Sequence, residues 1–129
     1  MDKLKIPGSD ITPRIDFDFE NGMFKISGRL VSIASAEYKF FTPLMEKISE
    51  YAKNPCQETI ISVDLEFCSS AGIKNMFQLL KLFDQMYLEG KNASVEWRFF
   101  IDDEDGKDKG MYFKKLLNLP VKVVMYSNE

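Results

Sequence analysis

Ile60-Ile61-Ser62-Val63-Asp64-Leu65-Glu66-Phe67 runs straight into Cys68-Ser69-Ser70-Ala71-Gly72-Ile73-Lys74, and this junction decides how the chain folds. The first part is rich in β-branched residues and reads as a strand over 58–67. Beyond Ser70, Ile73, Met76, Phe77, Leu80, Phe83 and Tyr87 recur at helical spacing, which predicts a helix from Ser70 to about Glu89, stopped by Gly90. Ser70 stands at the N-cap or the first helical position, where backbone N–H groups lack partners and the macrodipole is positive. A serine there either caps the helix or offers a hydroxyl where a phosphate would be favourably held, adding close to two negative charges.

Working outward, residues 1–13 read as irregular, punctuated by Pro7-Gly8 and Thr12-Pro13. Ile15 to Phe19 alternates with period two, and Met23 to Leu30 resumes as a strand after Asn21-Gly22, a hairpin signal. Ser35 or a neighbour caps the next element, in which Phe40, Phe41, Leu44, Met45, Ile48 and Tyr51 follow helical spacing to about Lys53. Pro43 either lies near its first turn or splits it. After the central strand and helix come a strand from Ala93 to Ile101, an acidic loop, a short helix from Lys109 to Leu117, and a last strand from Val121 to Tyr126. The order β-β-α-β-α-β-α-β predicts a single α/β domain over residues 1–129, with a mixed sheet. Cleaner alternation in the first two strands than in the third predicts helices mainly on one face.

Composition narrows the function. The chain has no histidine, which removes Ser-His-Asp and Cys-His nucleophile pairs and most zinc sites. A net charge of −3 with mixed signs argues against nucleic acid as a partner. No run approaches the length of a membrane span and the N-terminus lacks a signal-peptide core, so no membrane insertion and a cytoplasmic location are expected. Cys56 and Cys68 form no C-x-x-C pair and read as reduced thiols.

The remaining candidates have ordinary readings. Leu79, Leu82 and Met86 broaden the stripe of the helix after Ser70, either for packing against other helices or as an exposed patch suited to a partner. Asp102-Asp103-Glu104-Asp105-Gly106 fails as an EF-hand, because Ile101 and Tyr112 fall where ligands belong, and reads as a solvated acidic loop before a helix. Cys68 sits near a helix N-terminus but has no visible base. Trp97 alternates as a core residue.

Ser69-Ser70-Ala71-Gly72-Ile73 resembles the Asp-Ser-Ser-Gly-Ile/Leu motif of STAS domains, the anti-sigma-factor antagonist fold, whose phospho-acceptor serine matches Ser70. Over residues 4–125 the chain more closely resembles the SiaC-type regulatory phosphoproteins. The matching features are Ile6-Pro7-Gly8 with Thr12-Pro13, Gly28, Glu37 to Pro43 with Tyr51, Ile73-Lys74, Trp97, Asp102 to Asp105 and Leu119-Pro120. The chain departs from that family in two places. The family's Asn-Thr-Ser-Ser loop has threonine where this chain has Ser70 and asparagine where it has Ser69, which makes Ser69 a competing acceptor. A Ser-Tyr-Pro-Glu-Asn-like stretch is replaced by Leu30 to Ser35, which bears on the identity of the partner.

The resemblance implies a STAS-like protein–protein switch rather than an enzyme, with no cofactor. It also implies a dedicated protein kinase, a PP2C-type phosphatase, and an effector such as a diguanylate cyclase bound in the unphosphorylated state. Ser70 is the expected phosphorylation site, with Ser69 as runner-up, and Ser69, Ser70, Lys74 and Phe77 are the expected partner-binding residues. The alternative is a STAS-like ligand-sensing or structural module that is not phosphorylated.

Overall fold

The computed structural model describes residues 3–31 and 34–128, with residues 34–38 as backbone only. The elements are β1 (Lys3–Ile6), β2 (Arg14–Asp18), β3 (Met23–Leu30), α1 (Ala34–Ala52), β4 (Thr59–Cys68), α2 (Ser70–Leu88), β5 (Ala93–Phe100), α3 (Glu104–Leu116) and β6 (Val121–Tyr126). The six strands lie side by side in chain order. Pairs β1–β2 and β2–β3 are antiparallel, and the remaining pairs are parallel. The sheet is therefore mixed, as the element order predicted.

The strand order never reverses, and this fixes where the helices go. Crossovers between parallel strands are almost always right-handed, so a sheet that grows in one direction carries all of them on one face. Contacts agree: Phe24 of β3 meets Tyr51 of α1 and Phe83 of α2, at ring distances of 5.0 and 5.1 Å, and Trp97 of β5 meets Phe113 of α3 at 5.2 Å. Phe17 on β2 adds to this aromatic cluster at 5.0 Å from Phe24. The opposite face is left open and carries half-exposed and charged residues such as Lys25, Ser62, Glu96 and Arg98.

Three sequence expectations are corrected. Residues 3–6, read as irregular, form the edge strand β1, where Leu4 and Ile6 point towards the core and Lys3 and Lys5 away from it. The run has 4 residues, too few for its alternation to stand out, and its lysines suit an exposed edge. Pro43 neither begins nor splits α1, which continues through it. Proline removes one helical hydrogen bond, and burial of Phe41, Leu44, Ile48 and Tyr51 on both sides offsets that loss. The expected cap near Ser35 lies outside the described residues and side chains.

The third correction concerns the acidic segment, which is not a loop ahead of a helix at Lys109 but the start of α3 itself. Asp103 is the N-cap, accepting the Gly106 N–H at 2.9 Å, and Glu104 and Asp105 occupy the first turn, where their charge complements the macrodipole. Trp97 is core as expected, and its indole N–H donates to the Gly106 carbonyl at 2.9 Å.

Asp84 was not singled out by the sequence, yet it is buried on the core side of α2. Its Oδ1 accepts the backbone N–H groups of Asn118 and Leu119, both at 2.8 Å, and its Oδ2 accepts from Asn118 Nδ2 at 3.0 Å. The carboxylate thus pins the α3–β6 connection to α2. Asp84→Ala leaves the buried Leu119 N–H without its acceptor, while the exposed Asn118 can turn to water, and should cost about 2 kcal/mol, read as a lower urea midpoint at unchanged m.

Candidate functional site

The serine pair occupies the parallel edge of the sheet where β4 passes into α2 with no intervening loop. Ser69, and not Ser70, is the N-cap: its backbone is extended, with φ −69° and ψ 163°, and its Oγ accepts the Gly72 N–H at 3.0 Å. Its own N–H donates to the Leu30 carbonyl of β3 at 2.9 Å, and its carbonyl accepts the Ile73 N–H at 3.0 Å. Gly72 is needed for close approach, because a Cβ there would lie 2.9 Å from Leu30 Cγ and 3.1 Å from Ser69 Oγ.

Ser70 is therefore the first helical residue, the second of the two positions the sequence allowed. It is exposed, and among the described residues its hydroxyl makes no hydrogen bond. The first turn of α2 carries no acidic side chain, so its positive end is not compensated as that of α3 is. Lys74 is exposed one turn on, and Phe77 is half-buried another turn on, packed against the core with the Lys81 ammonium 5.7 Å from its ring centre. Helical spacing lays Ser70, Lys74 and Phe77 along one stripe, with Ser69 at its head.

The breadth of the α2 stripe is mostly packing. Met76, Leu79, Leu80, Phe83 and Met86 are buried, so of the two readings of this stripe the structure bears out packing rather than an exposed patch beside Ser70. Of the large hydrophobic residues of α2, Tyr87 and Leu88 are the exposed ones, and they lie at the far end of the helix.

Cys68 precedes the pair and is buried. Burial pushes its thiol up to about 11, with a smaller opposing pull from Lys109. A helix N-terminus usually lowers a thiol pKa, but desolvation dominates here and the thiol is held protonated. Among the described residues no group of three or more histidine, cysteine, aspartate or glutamate side chains could hold a metal ion, and no helix is long and apolar enough to cross a membrane.

Sequence alternation missed one feature of the site. Gly28 pairs with Leu65, but the next residue, Arg29, pairs with Phe67, so Glu66 is an extra residue in β4. This bulge reverses the alternation of the strand: Leu65 faces the core, Phe67 is turned out, and Cys68 faces in again. The one sequence signal was Gly28, an isolated strand glycine, which has φ +103° beside the irregularity.

Comparison with known proteins places this arrangement in a family. Residues 6–126 match the profile of the SiaC family of regulatory phosphoproteins, and the chain belongs to that family. It is similar to the structure of apo-SiaC from Pseudomonas aeruginosa, with a TM-score of 0.82 at 21% identity over 96% of this chain and 99% of that one. It is also similar to SiaC in the P. aeruginosa complex of diguanylate cyclase SiaD with its activator SiaC, with a TM-score of 0.86 at 20% identity over 95% and 99% of the two chains. An uncharacterized protein of P. aeruginosa strain UCBPP-PA14 is 23% identical over 99 residues, 77% of each chain.

The geometry separates the two serines energetically. Ser69→Ala should cost about 1 kcal/mol in urea unfolding through loss of the cap, while Ser70→Ala should stay within about 0.5 kcal/mol of wild type. Cys68 gives a pH test. The unfolded thiol ionises near about 8.5, while the folded one stays protonated to about 11. Its contribution is fully present below the unfolded pKa and is lost as pH rises through the folded one. Stability should therefore fall across that alkaline window, and Cys68→Ala should flatten the fall.

Proposed function

As a member of the SiaC family, this chain is, we propose, a non-enzymatic signalling switch controlled by reversible phosphorylation of Ser70. A dedicated protein kinase adds the phosphate and a PP2C-type phosphatase removes it. The unmodified form binds and activates an effector, a diguanylate cyclase, through a surface that includes Ser69, Ser70, Lys74 and Phe77. The single observation carrying the choice of acceptor is the division of labour at the junction. Ser69 Oγ accepts the Gly72 N–H, whereas Ser70 is exposed at the first helical position.

The chemistry favours a switch that leaves the fold intact. A phosphate on Ser70 sits at the positive end of α2, whose first turn holds no acid, so the modified chain gains a helix-dipole interaction. For a partner docked on this edge, the same phosphate puts a dianion into the contact, with its desolvation cost and its repulsion of acidic groups. Lys74 stands one turn on and is exposed, so its pairing with the phosphate is a modest contribution.

Incubation with ATP and a candidate protein kinase of the same organism, followed by mass-spectrometric mapping, tests the reading. The phosphate is expected on Ser70, absent from Ser70→Ala and retained by Ser69→Ala. Modification only outside residues 69–70 contradicts it. Unaltered effector binding by both Ser70→Ala and Ser70→Asp would favour the unphosphorylated module instead.

A further inference from the structure

The bulge in β4 has a consequence for recognition. Without Glu66 as an extra residue, Phe67 would follow Leu65 into the core. Instead its ring lies on the open face, 44% exposed, three residues before Ser70. The side chain opposite it in register is Arg29, whose guanidinium carbon stands 5.2 Å from the ring centre. Arg29 is positioned from its other side by Nε, which donates to the Asp10 carbonyl at 3.2 Å. Its Nη1 is 3.6 Å from Glu66 Oε1, a loose ion pair longer than a hydrogen bond. Among the described residues its Nη groups donate no hydrogen bond. The bulge therefore presents an aromatic ring with one face stacked, beside a held guanidinium with donors to spare, at the sheet edge that carries Ser70.

We propose that Phe67 and Arg29 anchor the effector, taking an apolar side chain of the partner against the uncovered part of the ring and a partner carboxylate on the Arg29 Nη groups. Arginine and aromatic side chains are the residue types that most often carry interface energy, and a stacked guanidinium loses little freedom on binding. The carboxylate is argued from charge: the unused donors are cationic and planar, which a carboxylate matches with two parallel hydrogen bonds. This assignment rests on the reading that the Ser70 edge faces the effector, and it deepens that reading. A phosphate on Ser70 would repel the same partner carboxylate, so one group accounts for both attraction and release.

The test is calorimetric titration of the unmodified protein with a purified diguanylate cyclase of the same organism that the wild-type chain binds, using Phe67→Ala, Arg29→Ala and Ser70→Glu. Phe67→Ala and Arg29→Ala should each weaken binding about ten-fold or more, with melting temperatures near wild type because both side chains lie at the surface. Binding by both within about two-fold of wild type overturns the anchor. If that occurs while Ser70→Glu binds poorly, the anchor fails and the switch stands. If the two anchor variants lose binding while Ser70→Glu binds like wild type, the anchor stands and the switch reading fails.

Discussion

The rest of the structure depends on how Ser69 is held. Its N–H is bonded to Leu30 of β3, its hydroxyl accepts from Gly72, and its carbonyl accepts from Ile73, all between 2.9 and 3.0 Å. A single residue thus ends the β4 pairing and begins α2, with no loop to soften the turn. Each of these bonds satisfies a backbone group that the end of a strand or the start of a helix would otherwise leave open. Gly72 completes the arrangement by letting the first turn of α2 close onto Leu30. With Ser69 used in this way, Ser70 is the first side chain free to face outward.

The direction of sheet growth explains where that side chain sits. Because β3 to β6 advance in chain order, α1, α2 and α3 all cover one face, and the strand reversal that creates a ligand crevice in doubly wound folds does not arise. The distinctive surface of the molecule is instead the edge where parallel strands end. Ser69 and Ser70 lie there after β4, Asp103 and the start of α3 follow β5, and Arg29 lies near the end of β3. The chain shares its overall fold with the P. aeruginosa SiaC structures. In the proposed switch the sheet and core act as a rigid mount, and only charge at one exposed hydroxyl changes.

Much of this was legible in the sequence because it rests on strong local periodicity. The spacing of Met76, Leu80 and Phe83 gave α2, Asn21-Gly22 gave the β2–β3 hairpin, and alternation around Trp97 gave β5. The misreadings share a cause: tertiary contacts overrode local preference. The acidic run Asp102 to Gly106 read as loop, yet Asp103 caps α3 and the Gly106 carbonyl bonds the Trp97 indole. Pro43 is carried within α1 by burial on both sides. The bulge at Glu66, which turns Phe67 out and Cys68 in, had no counterpart in the sequence reading, because register across two strands is not visible in either strand alone. At the candidate site, the sequence offered two adjacent hydroxyls and only the cap geometry separates their roles.

In the proposed switch, one phosphate on Ser70 controls effector binding. The direct measurement is the effector's dissociation constant for the purified chain before and after stoichiometric kinase treatment, with Ser70→Ala carried through the same treatment. Treatment should weaken binding about ten-fold or more for the wild type and leave the Ser70→Ala value unchanged. Equal affinities before and after stoichiometric phosphorylation of Ser70 would contradict it.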